Sequence, residues 1–376
     1  MQPVYIQGGL RTPIGILHGQ YKTVRPEHLG AHVLKALWQQ YGPEACSDST
    51  ALTDTMIICG NAVGTGGNIG RLAALYADIP ESVPACTLDM QCASAAAAID
   101  YGMARIQSGL SALCFVGGME SSSLQPLRTY ADGDDRNGSY MVAQFSPNEN
   151  DSRAMLLGAE RTAQKWHITE EEMDPWIIRS HQLAVAARDQ KLLAPYVLSY
   201  QDGDKDESIR PRMSERLLRR MPPLLGPDSV TTAGNTCLTH DGAAFLVLGT
   251  KPSRFRLVTT VTWGGDPLYS PEGALKATEL LLQKTGLTMA DIDTVEWNEA
   301  FAVIDVLYGH HFKGHEDKYN RLGGALAYGH PYGCSGAMLA LHCMASLDYC
   351  DGHYGLCAIA GAGGTGVAML IERLHG

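Results

Sequence analysis

The chain has 376 residues, a formal net charge of −11 at pH 7 and 45% hydrophobic residues. This length supports two or three packed units around a large core. The acidic balance argues against nucleic acid as a general partner. No run approaches the ~20 unbroken apolar residues of a membrane span. The opening residues, Met1 to Gly8, lack the basic flank and apolar core of a secretory signal, which points to the cytoplasm. The ten cysteines include no CxxC pair, so reduced thiols are expected rather than disulfides or zinc, and no metal is implied.

In chain order, Val4-Tyr5-Ile6 predicts a strand that runs into Gly8-Gly9-Leu10-Arg11-Thr12-Pro13. Leu29 to Tyr41 has helical spacing, and Thr55 to Cys59 reads as a buried strand ending at Gly60. The stretch Leu88 to Ile99 places Cys92 ahead of an alanine run, so a helix from Ala93 to about Ser108 is expected. Cys92 then faces the unpaired N–H groups and the positive end of that helix. A free thiol titrates near ~8.5, and a helix start with a neighbouring imidazole lowers that value, making Cys92 a nucleophile. A buried core cysteine fits the same stretch equally well. Ala112 to Val116 follows as another buried strand, closed by Gly117-Gly118-Met119-Glu120-Ser121. Strands alternating with helices indicate an α/β layered domain.

Residues 122–150 read as long polar loops. A helix from about Arg153 to Trp166 precedes a capping sequence at Thr169 and a second long helix to about Gln190. Ser208 to Arg220 holds five arginines in an otherwise acidic chain, and it fits a solvated face and a phosphate contact equally. The C-terminal half repeats the first pattern: strand Leu257 to Trp263, helix Glu272 to Thr285 and strand Thr294 to Trp297, then a glycine-rich turn. Gly333-Cys334-Ser335-Gly336 opens a helix from Ala337 to Leu347, as Cys92-Ala93-Ser94-Ala95 does in the first half. A strand from Gly355 to Ala360 follows it. Two similar halves packed together are expected, with equivalent helix starts facing a shared centre that forms the site.

Three further segments carry candidate chemistry. His330 lies between glycine and proline in Gly329-His330-Pro331-Tyr332-Gly333, where it has little packing to do. It is a candidate to take the Cys92 proton, and a turn-stabilising role is the other reading. Asn298 in Trp297-Asn298-Glu299-Ala300-Phe301 fits either a donor to an oxyanion or an ordinary turn asparagine. The loop Ala360 to Gly366 offers backbone N–H groups to a developing negative charge.

Together these segments resemble the thiolase family. The resemblance rests on Asn298 to Phe301, Gly323 to Gly336, Gly117 to Ser121, Arg11-Thr12-Pro13-Ile14-Gly15, and Thr232 to Asn235 with Asp241 to Ala244, all in the family's order. The ketoacyl synthases share the cysteine helix but lack the Asn-Glu-Ala-Phe run. The resemblance implies a five-layered α/β/α/β/α fold made of two similar halves, 1–118 and 249–376, with an inserted loop domain at 119–248. It implies a homodimer or homotetramer acting on acyl-CoA in fatty acid metabolism, with no permanently bound cofactor. Cys92 is then the acylated nucleophile, and His330 activates it. His330 and a water held by Asn298 form one oxyanion hole, while the N–H groups of Cys92 and Ala362 form the other. Cys237, Phe301 and Met155 line the coenzyme A tunnel, and Arg210 to Arg220 meet its phosphates.

The departures bear on the reaction. Where the family carries a second, proton-transferring cysteine, this chain has Ala360, and a methyl group moves no proton. General acid–base catalysis is commonly worth ~10²–10⁴ in rate, so carbon–carbon chemistry is expected to fall unless another group substitutes. Cys334 is the nearest candidate, and Cys357 lies on the opposite strand face from Ala360. The family's Asn-Ala-Ser-Gly is Asn235-Thr236-Cys237-Leu238 here, and Ala154 stands where a histidine is usual. The narrower readings are acyl transfer to a heteroatom, acyl-CoA hydrolysis, or a non-catalytic coenzyme A-binding subunit.

Overall fold

A computed structural model describes residues 2–43 and 54–374. The first half contains β1 (Val4–Arg11), β2 (Gly15–Ile16), α1 (Pro26–Tyr41), β3 (Thr55–Gly60), α2 (Ile69–Tyr76), β4 (Ala85–Leu88), α3 (Ser94–Gln107) and β5 (Leu113–Ser121). The middle adds β6 (Arg128–Thr129), β7 (Ser139–Tyr140), α4 (Ala154–Trp166), α5 (Glu170–Asp189), α6 (Glu215–Leu218) and β8 (His240–Gly249). The remainder is β9 (Phe255–Gly264), α7 (Gly273–Thr285), β10 (Thr294–Trp297), α8 (Ala302–His311), α9 (Ala325–Tyr328), α10 (Ser335–Cys350), β11 (Tyr354–Gly361) and β12 (Thr365–Arg373).

The main strands follow the order β10-β11-β12-β9-β1-β8-β5-β3-β4, with β2 beside β8. The two halves join where Val4, Tyr5 and Ile6 pair antiparallel with Leu257, Arg256 and Phe255. Both faces of the sheet are covered, which its side chains explain. Along β8, Ala244, Leu246 and Leu248 enter one core cluster, while Ala243, Phe245 and Val247 enter another. Along β12, Val367, Met369 and Ile371 share the first cluster, and Ala368 and Leu370 face a third. The first cluster is the middle layer, α3 and α10, which pack against each other and against strands of both halves. Helices α1 and α2 cover one outer face, and α7 and α8 cover the other. The result is the expected five-layered α/β/α/β/α arrangement.

β8 is less visible in the sequence. Nine of its ten residues lie within 119–248, yet it sits between β1 and β5 in the main sheet, with all ten residues buried. A strand covered on both faces loses the alternation that marks a half-exposed one, so its apolar run does not stand out from the preceding loops. The capping sequence at Thr169 is present as a full box with Glu172 and starts α5 at Glu170.

The two middle-layer helices start almost against each other because glycines let the backbones meet. A Cβ added at Gly118 would lie 2.0 Å from the Gly333 carbonyl oxygen, and one at Gly60 would lie 2.5 Å from the same atom. A Cβ at Gly336 would lie 2.4 Å from the Ala96 nitrogen. These contacts are backbone to backbone, so no side chain can swing aside to relieve them. Gly118→Ala should therefore destabilise the protein by ~1–3 kcal/mol, the usual range for overpacking, and depress activity further by moving the turn before α10. Urea unfolding read beside steady-state rates checks this; a variant matching the parent in both would contradict the close approach.

Candidate active site

The turn before α3 is strained, and neighbouring side chains hold it. Gln91 has φ 53°, a left-handed conformation that costs a side-chain-bearing residue of order ~1 kcal/mol or more. Asp89 secures it, accepting from the Gln91 backbone N–H at 2.8 Å and the Gln91 side-chain amide at 3.0 Å. The Ser94 hydroxyl accepts from Met90 N–H at 2.9 Å and donates to the Gln91 carbonyl at 2.6 Å. A 3-10 turn, Gln91–Ala93, leads directly into α3 and leaves the Cys92 sulfur facing a cavity. The backbone N–H groups of Cys92 and Ala362 both bear on that sulfur.

His330 reaches the same cavity from the other half. Gly329 before it has φ 111°, which favours glycine, and an added Cβ there would strike the His240 ring. The His330 backbone N–H donates to His240 Nδ1 at 3.0 Å, and the His240 Nε2 lies 2.6 Å from the Ser208 hydroxyl. On the His330 ring, Asn298 Nδ2 lies 3.3 Å from Nε2, and the Ser335 hydroxyl lies 2.6 Å from Nδ1. An amide nitrogen only donates, so Nε2 is the acceptor and Nδ1 carries the proton. The Ser335 hydroxyl donates to the Pro331 carbonyl at 3.2 Å, which completes a consistent chain. The basic lone pair of His330 is thus on Nε2. Asn298 reaches the ring directly.

The charge state of Cys92 corrects a sequence expectation. Burial pushes its thiol up to about 12; the nearby charges of Glu120 and Asp89 add to this, and the N–H groups of Cys92 and Ala362 oppose it. Burial, helped by His240, pushes His330 down to about 3. The resting pair is a neutral thiol and a neutral imidazole, because desolvation outweighs the helix-end effect argued from the local sequence.

Glu120 ties the two helix starts together. Its carboxylate accepts from Asn61 Nδ2 and Ala62 N–H at 2.9 Å each, Val63 N–H at 3.3 Å and Gly333 N–H at 3.1 Å. Burial raises it to about 7 against the pull of those donors. Glu299 does similar work near β10, accepting from Ser180, Asn320 and Leu326 N–H. Sequence reading quoted Glu120, Glu299 and Ser335 within motifs without giving them roles. For the two glutamates the available signal is an acidic residue inside an otherwise apolar strand-end run; Ser335, at a helix start, gives no such signal.

The cavity has a volume of about 320 Å³ and brings Cys92, His330, Ala362, Cys237, Phe301 and Met155 into one wall system. Tyr332 stands edge-on to His330, with ring centroids 4.9 Å apart. Asn298 lies just behind His330, 2% exposed. Arg210 and Arg220 are exposed and do not line the cavity, and Arg219 pairs with Glu215. Leu238 is 49% exposed and does not line the cavity. Cys334 is fully buried with its sulfur 4.0 Å from that of Met338, and Cys357 donates to the Leu339 carbonyl. Both belong to the middle-layer core, so neither substitutes at Ala360. Among the described residues no cluster of His, Cys, Asp and Glu could hold a metal ion, and no helix is long and apolar enough to cross a membrane.

Glu120→Gln should be costly despite its matched shape, since either end of the new amide that carries NH₂ meets a backbone or Asn61 donor. A loss of ~1–3 kcal/mol is expected in urea unfolding. The pH dependence has a definite sign. The folded-state value of about 7 exceeds the usual 4.5, so the folded protein keeps a proton that the unfolded chain releases. The stability Glu120 contributes is therefore full below 4.5 and is lost as pH rises through 7. Glu120→Gln should flatten the unfolding free energy between those values, and an unchanged slope would contradict this assignment.

The family descriptions "Thiolase, N-terminal domain" and "Thiolase, C-terminal domain" match residues 4–251 and 252–373. A beta-ketoadipyl-CoA thiolase of Pseudomonas knackmussii is 32% identical, covering 99% of this chain and 99% of the relative. The 3-oxoadipyl-CoA/3-oxo-5,6-dehydrosuberyl-CoA thiolase of Escherichia coli is 31% identical, with both chains covered in full (100% each). The crystal structure of the Bacillus anthracis acetyl-CoA acetyltransferase matches with a TM-score of 0.89 at 27% identity, covering 100% of this chain and 99% of that one. With both family domains spanning it and full-length relatives above 30% identity, this chain belongs to the thiolase family.

Proposed function

We propose that this protein is an acyl-CoA C-acyltransferase that works through an acyl-thioester on Cys92, with coenzyme A as the acyl carrier. The observation that carries the reading is the convergence, in one cavity, of the Cys92 sulfur, two backbone N–H groups bearing on it, and the His330 imidazole. As the sulfur attacks a carbonyl carbon, its proton passes to His330 Nε2. The carbonyl oxygen gains negative charge and is met by the N–H groups of Cys92 and Ala362. Protonated His330, with Asn298 behind it, then becomes a donor for the second carbonyl. Because thiol and imidazole both start neutral, the site carries no buried charge pair until substrate arrives.

The relatives named for 3-oxoacyl-CoA thiolases support a 3-oxoacyl-CoA as the substrate class. The apolar wall formed by Met141, Val142, Phe145, Met155, Leu156 and Phe301 fits an acyl chain or pantetheine arm. The exposed Arg210 and Arg220 suit the phosphates of coenzyme A, which stay in solvent. Segment 119–248 supplies much of the cavity wall, between the halves 1–118 and 249–376. The same family membership supports a homodimer or homotetramer in the cytoplasm. A second reading rests on Ala360: with no sulfur there, the acyl group passes to a heteroatom or to water, without carbon–carbon chemistry.

Incubation with acetyl-CoA should add one acetyl mass to the intact protein, on Cys92, and Cys92→Ala should take none. Absence of any adduct in the parent would leave only coenzyme A binding and overturn the catalytic reading. His330→Ala should slow formation of the adduct by ~10²–10⁴, the usual worth of a positioned base, as read by quenched time points.

A further inference from the structure

Ala360 leaves the carbon–carbon step without its expected proton carrier, yet the cavity holds a second thiol. The titratable side chains of its wall are Cys92, Arg128, Cys237, His330 and Tyr332. Cys92 is the nucleophile and His330 its base. The Arg128 guanidinium is engaged with the Val63 and Gly64 carbonyls. Tyr332 is a phenol that stands edge-on to His330. Cys237 remains: partly buried, facing the cavity and in no disulfide.

Its placement follows from backbone contacts. Cys237 N–H donates to the Ala300 carbonyl at 3.0 Å, and Thr236 bridges to Phe301, so residues 236–237 are stitched to the end of the Asn298–Phe301 run. That run leaves β10, whose Trp297 lies level with Ala358 on β11, two residues before Ala360. Ala300, Phe301 and Ala360 form one apolar cluster, and Cys237 packs against it. Ala362, two residues after Ala360, lines the cavity together with Cys237. Burial raises the Cys237 thiol above its ordinary range, and a charge on Cys92 would raise it further.

We propose that Cys237 is the proton-transfer residue of the carbon–carbon step, in place of the group missing at Ala360. This rests on the acyl-Cys92 reading above. In cleavage, Cys92 gives its proton to His330 and its sulfur bonds to the 3-oxo carbon of the substrate. The bond between C2 and C3 breaks, and its electron pair stays on C2 as the enolate of acyl-CoA. The Cys237 thiol protonates C2, which releases acyl-CoA and leaves a Cys237 thiolate. Incoming coenzyme A gives its thiol proton to that thiolate, and its sulfur takes the acyl group. Cys92 leaves as thiolate and recovers its proton from His330. The sum is one 3-oxoacyl-CoA and one coenzyme A giving two acyl-CoA.

The test uses the full-length protein with Cys237→Ala, Cys237→Ser, Tyr332→Phe and the double variant Cys237→Ala/Ala360→Cys. Acetyl-CoA adduct on Cys92, thiolysis of acetoacetyl-CoA and of a longer 3-oxoacyl-CoA, and exchange of the acetyl-CoA α-protons in D₂O are read for each. Both Cys237 variants should still accumulate the Cys92 adduct, which also shows that they fold, while thiolysis and exchange fall by ~10²–10⁴. The double variant should recover at least about tenfold of that loss, because a thiol is returned at position 360. Thiolysis by the Cys237 variants close to the parent's would overturn the proposal, as would loss of exchange in Tyr332→Phe but not in the Cys237 variants. A parent that forms the adduct but neither cleaves nor exchanges would overturn this inference and leave the proposed function its second reading, acyl transfer without carbon–carbon chemistry, whereas a parent that forms no adduct overturns both readings and this inference with them.

Discussion

Everything at the site depends on how closely two helix starts can approach. The backbone at Gly333 lies against Gly60 and Gly118, and Gly336 lies against Ala96, at distances no Cβ would allow. Only small residues fit there, which is why the first turns of α3 and α10 are written in alanine, serine and glycine. The same contact brings a sulfur from one half and an imidazole from the other to one cavity. Glu120 locks the approach, since a single carboxylate holds Asn61 and the backbone N–H groups of residues 62, 63 and 333. Farther out, Arg11 grips Asp206 with two hydrogen bonds, at 2.8 and 2.9 Å, and so fixes the segment whose Ser208 meets His240. His240 in turn receives the His330 backbone N–H. Support for the imidazole therefore runs from the first strand of the fold to the catalytic turn.

Burial sets the electrostatics. A cysteine at a helix start in water would tend toward thiolate, but here desolvation dominates and keeps it a thiol. The same burial keeps His330 neutral and therefore able to accept a proton. The site is thus prepared for charge that appears during reaction rather than charge held at rest. Backbone N–H groups suit that task because they stabilise a developing oxyanion without adding a buried ion.

Much of this was legible in the sequence, for reasons that can be named. The strand at Thr294–Trp297 and the helix after Cys92 were clear because an apolar run with turn residues at its end, or a run of alanines, depends mainly on local preference. The pseudo-repeat exposed the shared centre, since both halves place small residues at the same point before a helix. β8 was hidden because a strand buried on both faces has no alternation to show. Ser335 was hidden because its bond to His330 Nδ1 spans five residues and depends on the intervening turn. The Cys92 charge state was misjudged because a helix end is local whereas burial is set by the whole fold. Ala360 is visible in the sequence as a loss, whereas the place of Cys237 in the cavity wall needs the pairing of Thr236 and Phe301.

The central claim concerns where an acyl group sits when bound. A crystal structure of the protein after brief exposure to acetyl-CoA tests it most directly. The account predicts an acetyl group on the Cys92 sulfur, with its carbonyl oxygen within hydrogen-bond distance of the backbone N–H groups of Cys92 and Ala362. An acetyl group on another side chain, or one on Cys92 whose oxygen faces away from both donors, would contradict it.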